Sequence, residues 1–135
     1  MKRRVGLWID HKKTVIVMIS DETEIITQIA SHVEKHVQYG AAAEVVSGED
    51  QRDRRFLSHL SKYYDEVISH VRDAEAIVIL GPGEAKGELV KRLQHEHLGG
   101  RVVGIETVDK MTDRQIAASI HKTFAAIDSR KEGDL

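Results

Sequence analysis

The stretch AIVILGPGEAKGEL, residues 76–89, decides the fold. Its first five residues are all apolar, which is typical of a strand that is covered on both faces. Glycine and proline then form a turn, and the apolar residues after it recur at the spacing of a helix predicted over about residues 84–95. A strand that runs into a helix predicts a crossover to a parallel neighbour, which we expect over residues 101–108.

Upstream of this unit, the sequence predicts three strands joined by short polar turns and then one long helix. Short turns between consecutive strands are typical of an antiparallel meander. The last helix has a start signal in which Thr112 is the N-cap and Gln115 completes a capping box. The elements predicted outside the opening stretch are strands over residues 5–10, 14–19 and 23–30 and helices over about residues 51–73 and from residue 112 onward.

The resulting order, βββ-α-β-α-β-α, predicts an α/β fold with helices on both faces of a mixed five-stranded sheet. We expect the strand order 3-2-1-4-5, which is the ribonuclease H-like arrangement. A length of 135 residues fits one hydrophobic core, so we expect a single domain over residues 1–128. Residues 129–135 are charged and are predicted to form a frayed tail.

The composition narrows the classes of function. The chain has no cysteine, which excludes a disulfide framework, a thiolate metal site and a cysteine nucleophile. Its apolar runs are shorter than the ~20 residues that cross a bilayer, so no membrane partner is expected. The absence of cysteine fits a reducing cytoplasm, and a cytoplasmic location is predicted. The net charge of −2 means that any nucleic-acid binding must come from a local basic patch. Self-association into a homo-oligomer stays open.

The turn after the fourth strand does not predict a nucleotide cofactor. No Ser or Thr follows Lys86 as the Walker pattern requires, and the same lysine breaks the dinucleotide pattern of glycines. Gly81 and Gly83 are expected to supply backbone freedom to a tight strand-to-helix turn. Lys86 either contacts an anionic partner or lies along the surface beside Glu84 or Glu88.

Basic residues form two candidate contacts for nucleic acid. Lys12 and Lys13 lie in the first turn, and an arginine group opens the long helix beside an irregular segment, residues 31–50, that contains Tyr39. These residues form either a solvated face or a patch that binds phosphates. The candidate nucleic-acid-binding residues are Lys12, Lys13, Tyr39, Arg52, Arg54, Arg55 and Lys86.

An alternative function follows from the predicted fold. Ribonuclease H-like nucleases collect carboxylates at strand ends and on the first helix, where they hold two magnesium ions. Asp10, Glu84 and Asp109 follow strands here, and the long helix offers Asp65 or Glu66. The same carboxylates are also ordinary turn and helix-start residues. The eight histidines are scattered, so they predict no zinc site and no cofactor.

Several longer stretches resemble a known family. They are residues 6–13 (GLWIDHKK), 33–36 (VEKH), 63–67 (YYDEV), 81–89 (GPGEAKGEL) and 109–112 (DKMT), together with the arginine-rich start of the long helix. In these stretches and in element order the chain resembles the middle, ribonuclease H-like domain of archaeal and eukaryotic class I peptide chain release factors. It is similar above all to their stand-alone, single-domain bacterial relatives.

The resemblance implies a partner in the translation machinery, either the ribosome or a structured RNA. In the release factors the long loop carries Gly-Gly-Gln, which helps water attack the peptidyl-tRNA ester. The corresponding place here is Tyr39-Gly40-Ala41, which has no second glycine and no glutamine. The resemblance therefore implies a non-catalytic binding module without peptidyl-tRNA hydrolysis. It also implies that the GPGEAK turn positions the second helix.

Overall fold

A computed structural model describes residues 3–21, 23–31 and 48–133, with the side chains of residues 48–56 and 131–133 outside the description. The strands are β1 (Arg3–Ile9), β2 (Lys13–Ser20), β3 (Thr23–Ala30), β4 (Ala76–Gly81) and β5 (Val102–Thr107). The helices are α1 (Gly48–Val71), α2 (Ala85–His95) and α3 (Asp113–Gly133), with a 3₁₀ turn at Gly99–Arg101. The sheet order β3-β2-β1-β4-β5 confirms the predicted fold.

Strand direction places the ends of the central strands together. β1 pairs with β2 and β2 with β3 in antiparallel fashion, as the short turns predict. β1 pairs with β4 and β4 with β5 in parallel, as the helical crossovers predict. The carboxyl ends of β1, β4 and β5 therefore lie at the same end of the sheet, which we call the carboxyl end. The turns that follow these strands gather there.

Two apolar clusters hold the helices to the sheet. On one face, Leu7 and Ile79 pack beneath side chains of α1 and α2, and on the other face Trp8 and Leu80 pack beneath α3. α3 lies close to β1 because Gly6 has no side chain. A Cβ atom at that position would clash with the side chain of Ile120. Successive apolar residues of β1 point to opposite faces of the sheet, so β1 contributes side chains to both clusters.

Helix α1 packs on the sheet through its carboxyl-terminal half. Among the side chains of α1 that the structure describes, the buried ones run from Leu60 to Val71, a length of about 17 Å at 1.5 Å per residue, which matches the strands. The helix begins twelve residues before Leu60, at Gly48. These first turns add about 18 Å of helix, and the contacts of Tyr63 described below place them beyond the carboxyl end.

The turn after β4 differs from the sequence-based expectation. A Cβ atom at position 81 would clash with the carbonyl oxygen of Ile9 in the neighbouring strand, whereas the Cβ position of Gly83 faces open space. Gly81 is therefore required by the close approach of two backbones, not by backbone freedom. Lys86 also differs, because its Nζ donates to the carbonyl oxygen of Gly83 at 2.6 Å and completes the turn.

The start of α3 confirms the predicted capping box. The backbone N–H of Gln115 donates to Thr112 Oγ1 at 3.2 Å, and the backbone N–H of Thr112 donates to Gln115 Oε1 at 2.9 Å. α3 continues to Gly133, through most of the segment for which the charges predict a frayed tail. Fraying and a domain boundary at residue 128 stay predictions. Among the described helices, none has the length and apolarity to cross a membrane.

Candidate nucleic-acid interface

The turn between β1 and β2 presents the first two candidate lysines. The Asp10 carboxylate accepts hydrogen bonds from the backbone N–H groups of Lys12 and Lys13, both at 2.8 Å. Ser31, just after β3, donates its hydroxyl to the His11 carbonyl oxygen at 2.6 Å and its backbone N–H to the Lys12 carbonyl oxygen at 2.8 Å. The turn is thus held by its own Asp10 and by Ser31, which fix the backbone of both lysines.

The side chains of Lys12 and Lys13 have different surroundings. Lys12 is exposed. The Lys13 ammonium lies 5.8 Å from the ring centroid of Trp8, on the face of the sheet that carries α3. A cation over an indole ring is attracted by the negative face of the ring. Lys13 is therefore oriented by its contact with Trp8.

Tyr63 fixes helix α1 against the same turn. Its hydroxyl donates to the carbonyl oxygen of Asp10 at 2.9 Å and lies 2.5 Å from the hydroxyl of Thr14, which is fully buried. Burial raises the pKa of Tyr63, and the hydrogen bond with Thr14 partly opposes that shift. The tyrosine therefore stays neutral and holds α1 at the carboxyl end.

The arginine group lies upstream of this anchor. Arg52, Arg54 and Arg55 belong to the first turns of α1, so their backbone lies beyond the carboxyl end, about 12–17 Å along the helix from Tyr63 at 1.5 Å per residue. Their side chains are outside the description, and Tyr39 lies outside the described residues. Lys86 lies in the first turn of α2, directly after β4, and its ammonium is at the same end of the sheet. The predicted basic residues of the described backbone thus share one end of the fold.

A cleft of ≈ 470 Å³ opens between α1, α2 and the β1–β2 turn. Glu88 Oε1 accepts hydrogen bonds from His11 Nε2 at 3.0 Å and from the Tyr64 hydroxyl. Burial raises the pKa of Tyr64, and the bond to Glu88 raises it further. One carboxylate thus ties the turn to both helices. The cleft is lined by His11, Leu57, Leu60, Ser61, Tyr64, Glu84, Glu88 and Arg92.

Arg92 closes the other side of the cleft. Its guanidinium donates to Asp65 Oδ1 at 2.8 Å and to Ser61 Oγ at 2.5 Å, and it lies 5.6 Å from the ring centroid of Tyr64. The two terminal nitrogens of the guanidinium thus bond to two different residues of α1, one to Asp65 and the other to Ser61. Arg92 therefore acts as a brace between the two helices.

The carboxylates of the nuclease alternative are not assembled into a metal site. Among the described residues, no three His, Asp or Glu side chains are grouped as metal ligands would be. Asp10 is occupied by its own turn, Glu84 borders the cleft, and Asp65 is paired with Arg92. After β5, the carbonyl oxygen of Asp109 accepts the Trp8 indole N–H at 3.1 Å. The carboxylates of Asp10 and Asp65 thus take part in a turn and in a helix contact, whereas the Asp109 contact uses its backbone carbonyl.

Comparison with solved structures shows where this fold recurs. No protein-family model matches the chain, and no curated protein does. The Pelota protein of Archaeoglobus fulgidus superposes with a TM-score of 0.55 at 13% identity over 89% of this chain, and that of Thermoplasma acidophilum with 0.50 at 15% identity over 83%. The archaeal translation termination factor aRF1 superposes with 0.51 at 12% identity over 97%.

These likenesses show a shared fold. The matching regions make up 31%, 29% and 42% of the three solved chains, so the present chain spans less than half the length of each. The resemblance to the release-factor middle domain that the sequence predicts is therefore supported at the level of the fold. The assignment to stand-alone bacterial relatives stays a prediction.

The cleft is not predictable from the sequence. Glu84 and Glu88 are predicted only as a nuclease candidate and as a neighbour of Lys86, and neither His11 nor Arg92 is predicted as a site residue. The hydrogen bond between His11 and Glu88 joins residues 77 positions apart, and that between Tyr64 and Glu88 joins residues 24 apart. Periodicity does not reveal such pairs. The available signal was the spacing of Glu88 and Arg92, which places both on one face of a helix.

Proposed function

We propose that this protein is a non-catalytic binding module that attaches to the ribosome or to a structured RNA through its carboxyl end. The observation that carries the proposal is that Lys12, Lys13 and Lys86 lie at that end of the sheet, and the first turns of α1, which carry the three arginines in sequence, extend beyond it. We call the set formed by Lys12, Lys13, Arg52, Arg54, Arg55 and Lys86 the basic surface. The fold shared with a translation termination factor supports a partner in translation.

Electrostatics explains how a chain of net negative charge could bind RNA this way. Lysine and arginine contacts to phosphates release condensed counterions, and this gain does not depend on the charge of distant faces. The β1–β2 turn is held by Asp10 and Ser31, and the Lys86 ammonium is bonded to the Gly83 carbonyl, so the backbone that carries Lys12, Lys13 and Lys86 is ordered before binding. A fixed backbone lowers the ordering cost of association.

We assign Tyr39 the role of a stacking residue. It belongs to the segment that precedes the arginines in sequence, and we propose that a base stacks on its ring while the basic surface holds phosphates. Stacking of a base on an aromatic side chain contributes about 1–3 kcal/mol and is tolerant of sequence. The module would then prefer single-stranded or looped RNA to regular duplex, in which bases are not accessible.

The proposal includes the absence of peptidyl-tRNA hydrolysis. At the place where the release factors carry Gly-Gly-Gln, this chain has Tyr39-Gly40-Ala41, which supplies no side-chain amide to orient a water molecule. The proposed role is therefore binding without hydrolysis. A ribosomal or RNA partner also fits the proposed cytoplasmic location.

Charge reversal tests the basic surface. The triple variant Arg52→Glu, Arg54→Glu and Arg55→Glu is compared with wild type by co-sedimentation with ribosomes over a salt series. Loss of three phosphate contacts should weaken binding and lower the slope of log K against log [salt] by roughly 2–3 units. The matched control is Arg3→Glu, Lys122→Glu and Arg130→Glu, which makes the same change of net charge at exposed positions away from the carboxyl end.

The two variants separate a local surface from a general charge effect. Weaker binding in the arginine variant alone supports the proposal. Equal loss in both variants would mean that net charge decides binding, and unchanged binding in the arginine variant would remove the arginines from the interface. A parallel assay of peptidyl-tRNA hydrolysis should stay at background, and clear hydrolysis would contradict the non-catalytic role.

A further inference from the structure

Strand β3 forms an edge of the sheet in the described part of the chain, and it is unusually apolar for an edge. In the sheet order it neighbours only β2. Two large side chains on it are exposed, Ile25 at 50% and Ile26 at 42%. Because successive residues of a strand point to opposite faces, apolar surface is exposed on both sides of this edge.

β3 also lacks the features that normally keep an edge strand from pairing. It has eight residues, contains no proline, glycine or lysine, and runs beside β2 in an unbroken register. The opposite edge is protected. β5 has six residues, contains Gly104, and its register with β4 shifts between Ile77 and Val78, which bends the strand. Short edges and irregular pairing block edge-to-edge contact, and long regular apolar edges invite it.

We propose that β3 pairs with β3 of a second copy of this chain, antiparallel, about a two-fold axis at Ile26. In such a pair, residues that face each other must lie on the same face of the joined sheet. An axis at Ile26 meets that condition. It sets Ile26 opposite Ile26 of the second copy, Ile25 opposite Thr27, and Glu24 opposite Gln28.

The side chains in this register complement one another. The Gln28 amide donates one N–H to Asp113 of its own chain at 2.9 Å, and it has a second N–H. Glu24 uses Oε1 for His121 of its own chain and has a second carboxylate oxygen. Opposed side chains lie about 5 Å apart at Cβ, so Gln28 of one copy can donate to Glu24 of the other. The two-fold axis repeats this bond on both sides of an apolar centre at Ile26.

This complementarity favours a second copy over an unrelated partner. At the outer positions, the donor Gln28 meets the acceptor Glu24 only when the two strands are antiparallel. At the central position, the apolar Ile26 packs against Ile26 of the second copy. A two-fold interface needs this property, since the same patch serves both subunits. The dimer joins two five-stranded sheets into one and removes the exposed edge.

Sedimentation velocity over a concentration series tests the dimer. Wild type should approach twice the chain mass of 15.2 kDa. Ile26→Lys should raise the dimer dissociation constant by about 100-fold or more, because it places two like charges at the axis. The control is Ile105→Lys on β5, a site of similar exposure at 49%, which should leave the dimer unchanged. Both sites are exposed, so circular dichroism should show folded proteins.

Crosslinking tests the register. The natural chain has no cysteine, so Ile26→Cys should form a covalent dimer with a short bis-maleimide, and Ile105→Cys should not. A monomeric wild type at all concentrations would overturn the proposal and would mean that another segment or another protein covers β3. A dimer that survives Ile26→Lys, or that is lost in Ile105→Lys alone, would overturn it equally.

Discussion

Replacing Tyr63 with phenylalanine tests the anchor that holds helix α1 to the carboxyl end. The substitution removes one hydroxyl and keeps the ring that packs in the core. That hydroxyl bonds with Thr14 Oγ1 and donates to the carbonyl oxygen of Asp10. Thr14 is fully buried, whereas Asp10 is partly exposed and its carbonyl can be hydrated. The main loss of stability therefore comes from the Thr14 hydroxyl, which is left buried without this hydrogen-bond partner.

The expected cost follows from that difference. Leaving a buried hydroxyl without its partner costs about 1–3 kcal/mol, and a carbonyl that water can reach costs less. We expect Tyr63→Phe to lower the free energy of unfolding by about 2 kcal/mol. For a domain of this size, with an m-value of about 1–3 kcal/mol per molar urea, the urea midpoint should fall by roughly 1 M.

Tyr64→Phe is the matched control on the next residue. Its hydroxyl donates to Glu88, whose side chain is 38% exposed and can be hydrated when the bond is lost. The loss should therefore be below about 1 kcal/mol. An unchanged midpoint for Tyr63→Phe, or a larger loss for Tyr64→Phe, would refute the assignment of Tyr63 as the anchor.

Three further predictions concern single features. Thr112→Ala should cost about 1 kcal/mol in urea denaturation by removing the N-cap of α3, and an unchanged midpoint would mean that the cap contributes nothing. Gly81→Ala should lower the unfolding free energy by about 1–3 kcal/mol through its backbone clash, whereas Gly83→Ala should leave it nearly unchanged; equal effects would contradict the close-approach argument. The raised pKa values of Tyr63 and Tyr64 keep both phenols protonated in the folded protein. Stability should therefore be fully retained below pH 10.0, the ordinary tyrosine pKa, and fall above it as the unfolded state ionises; flat stability in alkaline urea melts would contradict both shifts.

The sequence was sufficient for the fold because its signals are local. The apolar run at residues 76–80, the short turns of the meander and the capping pair Thr112 and Gln115 each act within a few residues. Local patterns of this kind set element type and order. The rules of strand direction and crossover handedness then leave few topologies, and the strand order follows from them.

The site was less predictable because it depends on contacts across the fold. The charge of Lys86 indicated a surface role, yet its nearest acceptor is the Gly83 carbonyl, which becomes available only in the observed turn. Gly81 was read as flexible, and only the position of Ile9 on the neighbouring strand shows why a side chain is excluded. The His11–Glu88 contact depends on the docking of α2 against the β1–β2 turn.

The salt dependence of ribosome binding by the wild-type protein tests the central claim most directly. Binding is measured by co-sedimentation with purified ribosomes from low to physiological salt. A surface that contacts several phosphates predicts a linear fall of log K with log [salt], with a slope of about −0.7 to −0.9 for each contact. Binding that does not change with salt, or no binding at the lowest salt, would contradict a ribosome-binding module that acts through the basic surface.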